Sequence, residues 1–244
     1  AEAAATALEG RRLAEQARSA AHAEAADRMR TALLAAAAVA FASAQPALAQ
    51  SKTTQPNGAT MQLTQTWDKV FPKSEKVDHQ KVTFTNRYGI TLVGDLYLPK
   101  DRGGRRLPAI AVGGPFGAVK EQSSGLYAQT MAERGFVALS LDLSFWGGSD
   151  GSPRNAGAPD IYAEDFSAAV DFLGTRPFVD RERIGAMGVC GSGSFVLSAA
   201  KLDPRMKAIA TVSMYDMGAA NRNGLKKSQT PQQRKKAIAE AAEQ

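Results

Sequence analysis

Residues 184–194 read IGAMGVCGSGS, an apolar run that leads into a cysteine set among glycines and serines. The run predicts a buried strand over Ile184–Val189, and the residues beyond it predict a helix. The chain must therefore turn sharply at Cys190. A nucleophile elbow is a strand-to-helix turn of this kind with the reactive side chain at its apex. Its strained backbone requires small residues two positions before and after the apex, and Gly188 and Ser192 stand there.

The residue types around Cys190 suit acyl transfer. The N-terminus of the following helix points at the thiol and favours its thiolate form. The backbone N–H of Gly191 faces the place where an oxyanion would form. Cys190 is therefore the candidate nucleophile and Gly191 the candidate oxyanion donor.

Other interpretations of this segment stay open. Cys190 can be a small buried hydrophobic residue, or Ser192 can be the apex of the turn instead. The glycines can also belong to a dinucleotide fingerprint, G-x-G-x-x-G. That pattern would begin at Gly191 and fails at its last position, which is Val196. Asp216, beyond the next predicted strand, stands where a ribose-binding acid would lie.

Outward from the elbow, strands and helices alternate. Lys81 onward predicts an antiparallel hairpin, formed by Val82–Thr85, a turn at Asn86–Gly89, and Ile90–Leu98. The later segments predict strands and helices by their periodicity; the strands are Ala109–Val112, Phe136–Leu143, Ile184–Val189 and Met206–Val212, and the helices are Ser124–Arg134, Ile161–Leu173 and Gly193–Lys201. This order predicts an α/β fold: a doubly wound, mostly parallel sheet with an N-terminal antiparallel hairpin. The site then lies at the carboxyl ends of the strands.

Several segments together resemble the α/β-hydrolase superfamily, in particular its dienelactone-hydrolase-like branch, over Lys81–Met217. Asp142 and the stretch Trp146–Gly151 resemble the family's D-x-x-G-x-G-x-S segment. Residues 165–173 and 179–185 resemble the family's segment before the elbow. Residues 203–208 resemble the segment that leads into the next strand. The chain departs from the family's G-x-C-x-G-G pattern in having Ser192 where a glycine is usual. The resemblance implies a hydrolase that acts on an ester, lactone or related acyl bond of a small-molecule substrate.

The same resemblance places a second oxyanion donor in the loop Gly113–Gly117. Pro115 has no N–H, so the donor is Gly114 or Phe116. Glu121 in the adjoining segment could contact the nucleophile, but a solvated loop charge is the favoured interpretation.

A catalytic base is missing from the expected place. In α/β-hydrolases the chain order is nucleophile, acid, then histidine. The two histidines, His22 and His79, both precede Cys190, and we expect them at the surface without a catalytic role. Asp216 is a candidate acid. We expect the sheet to lack its last strands, with the acid and histidine encoded beyond Gln244; the alternative is a non-catalytic binding protein with the same fold.

The N-terminal residues predict export. Met29-Arg30, an apolar run and an A-x-A exit at Ala47–Ala49 form a signal-peptide pattern over 29–49. The run is shorter than the roughly 20 residues that span a bilayer, so we expect a periplasmic or secreted protein without a stable membrane anchor. Residues 1–28 are predicted as upstream leader, 50–78 as a flexible lead-in and 79–217 as the hydrolase core.

Composition and charge exclude several classes of protein. A hydrophobic content of 44% argues against disorder, and the single cysteine excludes a disulfide framework. The net charge of +6 falls mostly on residues 217–244, which carry +4 and no aromatic side chain, so no nucleic-acid partner is predicted. Residues 218–244 are predicted as the start of a cap insertion or a basic tail. No cofactor or metal motif occurs, and the sequence leaves the oligomeric state open.

Overall fold

The structure is a computed structural model that describes residues 63–64 and 66–242. The predicted leader and signal peptide, with His22, lie outside the described residues, as does most of the predicted lead-in. Among the residues described, no helix combines the length and the apolar character needed to cross a bilayer.

Within the described residues, six strands form one sheet and five α-helices accompany them. The strands are β1 (Val77–Thr85), β2 (Thr91–Pro99), β3 (Leu107–Gly113), β4 (Val137–Leu141), β5 (Val179–Val189) and β6 (Ala208–Val212). The helices are α1 (Ser123–Glu133), α2 (Pro159–Gly174), α3 (Gly191–Ala200), α4 (Met217–Asn223) and α5 (Pro231–Ala242), with a 3₁₀ turn at Leu225–Lys227.

The sheet is mixed and open. Its order is β1-β2-β4-β3-β5-β6, with β1 and β2 antiparallel to their neighbours and β4, β3, β5 and β6 mutually parallel. Since β3, β4, β5 and β6 run in the same direction, the loops that follow them meet at one end of the sheet. That end carries the candidate site, as expected for an open α/β sheet.

Alternating side chains of the central strands build a core on each face. On β3, Ala109 and Ala111 belong to the core under α2 and α3, whereas Ile110 and Val112 belong to the core under α1. A run in which both alternating sets are buried identifies a central strand, and this is why the short apolar segment at β3 is recognisable in the sequence.

The predicted fold class is confirmed, with shifted boundaries. The strand predicted at Ile184–Val189 begins five residues earlier, at Val179, and the helix predicted from Gly193 begins at Gly191, directly after Cys190. The end of the predicted lead-in differs more. Lys69 and Phe71 are buried against the sheet, and β1 begins at Val77.

Candidate active site

Cys190 occupies a strained strand-to-helix turn. Its backbone has φ 54° and ψ −116°, a positive φ that is unusual for a residue with a Cβ. The Cys190 N–H donates to the carbonyl of Val212 at 2.9 Å, and the Cys190 carbonyl accepts from Gly193 and Tyr215, each at 3.1 Å. These bonds fasten the apex to the residues at and after the end of β6. Strain of this kind persists only where the surroundings impose it, and it is typical of active sites.

Close packing explains the small residues around the turn. A Cβ on Gly188 would overlap the backbone carbonyl of Ser192. A Cβ on Gly193 would lie 2.7 Å from Cγ of Met214. The small residue that the sequence required at position 188 is therefore explained by its contact with the backbone of Ser192.

Cys190 and Ser192 differ in accessibility. Cys190 is half-buried, whereas Ser192 is completely buried. The Ser192 Oγ would lie 2.8 Å from a Cβ placed on Gly113, and it has no hydrogen-bond partner among the described residues. Ser192 thus faces inward under β3, and the thiol is the more accessible of the two candidate nucleophiles.

The loop after β3 brings Phe116 to the elbow. The backbone nitrogen of Phe116 lies 3.2 Å from where a Cβ on Gly191 would stand, and the Phe116 Cβ lies 2.9 Å from the same point. Gly114 faces α1 instead, where Ser124 Oγ lies 3.2 Å from its Cβ position. Of the two candidate donors, the structure therefore places Phe116 beside Gly191.

Lys120 and Asp142 form a buried ion pair below this loop. Lys120 Nζ lies 2.8 Å from Asp142 Oδ2, and both side chains are shielded from solvent. Asp142 also accepts from the N–H of Gly148 at 2.8 Å. Although burial acts to lower the pKa of Lys120, the Asp142 and Glu121 carboxylates raise it above its ordinary value. The sequence drew attention to Asp142 by resemblance only and missed Lys120.

Glu121 corrects one expectation. Its side chain is only 19% exposed and pairs with Lys120 Nζ, and its carbonyl accepts from the N–H of Val70 at 3.3 Å. The prediction of a solvated loop charge is therefore wrong. Lys120 and Val70 both contact Glu121. Neither contact was predicted from the sequence.

Asp216 acts as a helix cap. Its Oδ1 accepts the N–H of Ala219 at 2.8 Å at the start of α4, and the residue is exposed. This bond satisfies one of the free N–H groups of the helix terminus. The acid role of Asp216 stays a prediction.

His79 is not a surface residue, which corrects a second expectation. Its side chain is 4% exposed, and Nε2 lies 2.8 Å from Asp95 Oδ1. Lys69 Nζ completes the cluster at 2.9 Å from Asp95 Oδ2. Because a buried carboxylate must be paired, the alternating pattern of β1 carries a polar residue inward here.

His79 is nevertheless far from Cys190. The strand register places one row of residues across the sheet: His79, Tyr97, Ala138, Ile110 and Gly185. Four strand spacings separate the ends of that row, about 19 Å, and Cys190 lies five residues farther along, about 16 Å. His79 therefore cannot reach the thiol.

A third buried carboxylate, Asp165, supports the loop after β4. It accepts from the backbone N–H of Ser144 at 2.7 Å, from the Ser144 hydroxyl at 2.8 Å and from the Asn86 amide at 2.8 Å. Burial raises the pKa of Asp165 to about 6, against the opposing effect of these donors.

In the described part of the chain, no group of three or more His, Cys, Asp or Glu side chains is arranged to hold a metal ion.

Comparison with known proteins finds relatives that match more than half of this chain. The chain is 56% identical over 218 residues to the uncharacterized protein PA2218 of Pseudomonas aeruginosa, covering 88% of this chain and 59% of that protein. It is 34% identical over 139 residues to the thiohydrolase aneE of Aspergillus aculeatus, covering 57% of this chain and 42% of that one. The chain thus spans between about two fifths and three fifths of the length of these relatives.

Solved structures agree with the fold. The crystal structure of PA2218 superposes with a TM-score of 0.74 at 60% identity, covering 77% of this chain and 58% of that one. The α/β-hydrolase GrgF of a Penicillium species superposes with a TM-score of 0.58 at 28% identity, covering 68% of this chain and 52% of that one.

The sequence pattern of a hydrolase family matches well over half of the chain. The matching residues are 88–243, and they include the loop after β3 and the turn at Cys190. The chain belongs to the X-Pro dipeptidyl-peptidase (S15) family, within the α/β-hydrolase superfamily.

Proposed function

We propose that the protein hydrolyses an ester, lactone or related acyl bond through a covalent acyl-enzyme on Cys190. One observation carries the proposal: the half-exposed thiol stands at a strained apex, with the backbone nitrogen of Phe116 close to Gly191. The name of the thiohydrolase relative adds support for acyl-bond chemistry.

In this mechanism the Cys190 thiolate attacks the acyl carbonyl carbon. The negative charge that forms on the carbonyl oxygen is stabilised by the N–H groups of Gly191 and Phe116. Collapse of the tetrahedral intermediate breaks the bond to the leaving group, which takes up a proton. Water then attacks the thioester carbonyl carbon, the C–S bond breaks, the acyl group leaves as a carboxylic acid, and Cys190 regains its thiol.

The proposal requires a base from outside the described residues. His79 is the only histidine within them, and it is too far from Cys190. Without such a base beside Cys190, the thioester is expected to form and to hydrolyse slowly.

The single cysteine makes the first step directly measurable. Addition of p-nitrophenyl acetate should release close to one equivalent of p-nitrophenolate per chain, faster than from the same chain unfolded in urea. Mass spectrometry should place the acetyl group on Cys190. Cys190→Ala should abolish the burst, whereas Ser192→Ala should keep it, and Ser198→Ala on the exposed side of α3 provides the matched control.

Two outcomes would contradict this proposal. A burst that survives in Cys190→Ala and disappears in a folded Ser192→Ala variant would make Ser192 the nucleophile. A native thiol that reacts no faster than the unfolded one would favour a non-catalytic binding protein. Circular dichroism of each variant confirms that the comparison is between folded chains.

A further inference from the structure

Four aromatic rings form a continuous cluster beside the elbow, here named the aromatic wall: Phe116, Trp146, Tyr162 and Phe195. The ring centroids of Phe116 and Trp146 lie 5.4 Å apart, and those of Tyr162 and Phe195 lie 5.0 Å apart. Phe116 also lies 6.3 Å from Tyr162 and 6.5 Å from Phe195. These separations are typical of attractive edge-to-face packing, so the wall holds the Phe116 ring in place.

One end of the aromatic wall is open. Phe116 is 40% exposed, although its backbone is packed against Gly191. Tyr162 and Phe195 are buried, so they anchor the wall from behind. The fold thus places a partly uncovered aromatic ring beside the turn that carries the candidate nucleophile.

The polar ends of the wall are already paired. Trp146 Nε1 donates to the Tyr162 hydroxyl at 2.7 Å and to the carbonyl of Ala156 at 3.2 Å. The Tyr162 hydroxyl donates to the same carbonyl. The aromatic wall therefore presents the faces and edges of its rings to a ligand and few hydrogen-bonding atoms. Such a surface suits an apolar group.

Met214 flanks the other side of the turn. Its side chain packs on Gly193 and is 44% exposed. Phe116 and Met214 thus pack on Gly191 and Gly193, the two glycines that follow Cys190, and the aromatic wall lies on the Gly191 side.

We propose that the aromatic wall forms the subsite for a flat aryl group in the acyl part of the substrate. The inference rests on the proposed function, in which Cys190 is the reacting thiol. The aryl group lies against the Phe116 ring, and the carbonyl carbon then meets the thiolate beneath the N–H groups of Gly191 and Phe116.

Alkylation of Cys190 tests this without a catalytic base. The thiolate displaces iodide from an iodoacetamide: an S–C bond forms, the C–I bond breaks, iodide leaves, and the thiol proton passes to buffer. The measurement is the rate with N-phenyl-iodoacetamide divided by the rate with iodoacetamide, on the native chain and on the chain unfolded in urea. N-cyclohexyl-iodoacetamide tests whether the reagent must be flat.

This ratio of rates should be about 2- to 12-fold higher for the native chain than for the unfolded chain. The factor corresponds to about 0.5–1.5 kcal/mol for one aromatic contact. Phe116→Ala should bring this ratio back toward that of the unfolded chain. Tyr88→Ala, which removes an exposed ring in the hairpin turn between β1 and β2, should leave it unchanged. If Phe116→Ala does not fold, protection of the wild-type thiol by phenylacetamide but not by acetamide gives the same answer.

The outcomes separate the two proposals. A native thiol that reacts readily with every reagent, without a phenyl preference, overturns the aryl subsite and leaves the proposed function standing. An equal preference for the cyclohexyl reagent overturns the assignment to flat groups. A native thiol slower than the unfolded one with all three reagents overturns both proposals.

Discussion

Lys120 contacts both oxygens of Asp142: Nζ lies 2.8 Å from Oδ2, and its backbone N–H donates to Oδ1 at 2.7 Å. Since Asp142 also holds the N–H of Gly148, one buried carboxylate joins the loop after β3 to the loop after β4. These two loops carry Phe116 and Trp146, whose rings touch. The ion pair therefore sets the spacing of the site without belonging to it.

Loss of the lysine should destabilise the protein strongly. Lys120→Met leaves Asp142 buried with two backbone donors but no countercharge, and breaking a buried pair in this way costs about 3–5 kcal/mol. Urea unfolding should show that loss relative to Lys76→Met, which replaces an exposed lysine. The double variant Lys120→Met/Asp142→Asn should recover part of it. Equal unfolding midpoints for the two single variants would contradict the role of the pair.

The elbow should not tolerate a methyl group at Gly188. A Cβ there overlaps the Ser192 carbonyl, so Gly188→Ala must shift the start of α3 and should cost at least about 1–3 kcal/mol. Thermal unfolding measures the stability, and iodoacetamide labelling measures whether Cys190 is still presented. Gly174→Ala is the matched control, because its nearest neighbour, Ile184, would lie 3.7 Å away. Similar melting temperatures for both variants would show that the turn is less constrained than its geometry indicates.

The buried histidine should matter for stability and not for reaction. His79→Gln exchanges a ring that packs between Trp67 and Tyr97 for a smaller amide, and we expect a loss of about 1–3 kcal/mol. The p-nitrophenolate burst should keep its rate, since His79 lies far from Cys190. Gln80→Ala, at the exposed neighbouring position of β1, is the control for stability. A slower burst in folded His79→Gln protein would contradict the conclusion that His79 has no role in the reaction.

Asp165 should give the protein a specific pH dependence. Its folded pKa of about 6 lies above the ordinary 3.8 because the group is buried, so the folded state holds the proton more tightly than the unfolded state. Protonated Asp165 therefore contributes about 3 kcal/mol to the folding stability below pH 4. This contribution is lost as the pH rises to about 6. Asp165→Asn should lack this pH-dependent contribution. The stability of the variant relative to the wild type should therefore increase as the pH rises from 4 to 6.

The opposite behaviour of Asp68 provides an internal control for that measurement. Despite the opposing effect of partial burial, Lys69 and Lys81 hold the pKa of Asp68 at about 2. Its contribution is therefore lost as pH falls from about 4 toward 2, outside the Asp165 interval. A difference between Asp165→Asn and wild type that stays constant from pH 4 to 7 would show that Asp165 does not titrate there.

The sequence reveals those parts of the fold that depend on local pattern. Apolar runs located β3 and β5, and the glycines of residues 184–194 located the turn at Cys190, because strand burial and backbone crowding act over a few residues. The buried pairs Lys120–Asp142 and His79–Asp95 were missed. Their partners stand 22 and 16 residues apart, and a charge whose partner comes from another strand has no periodic signal. The choice between Gly114 and Phe116 likewise depends on the path of a loop.

That choice can be tested through the backbone itself. Phe116→Pro removes both the ring and the N–H, whereas Phe116→Ala removes the ring and keeps the N–H. If the N–H stabilises the oxyanion, acylation by p-nitrophenyl acetate should be about 10²- to 10³-fold slower in the proline variant than in the alanine variant. Circular dichroism must show both to be folded. Iodoacetamide labelling should be similar in the two, because alkylation forms no oxyanion. If both variants acylate equally fast, the second donor is a residue other than Phe116, and Gly114 becomes the candidate to test.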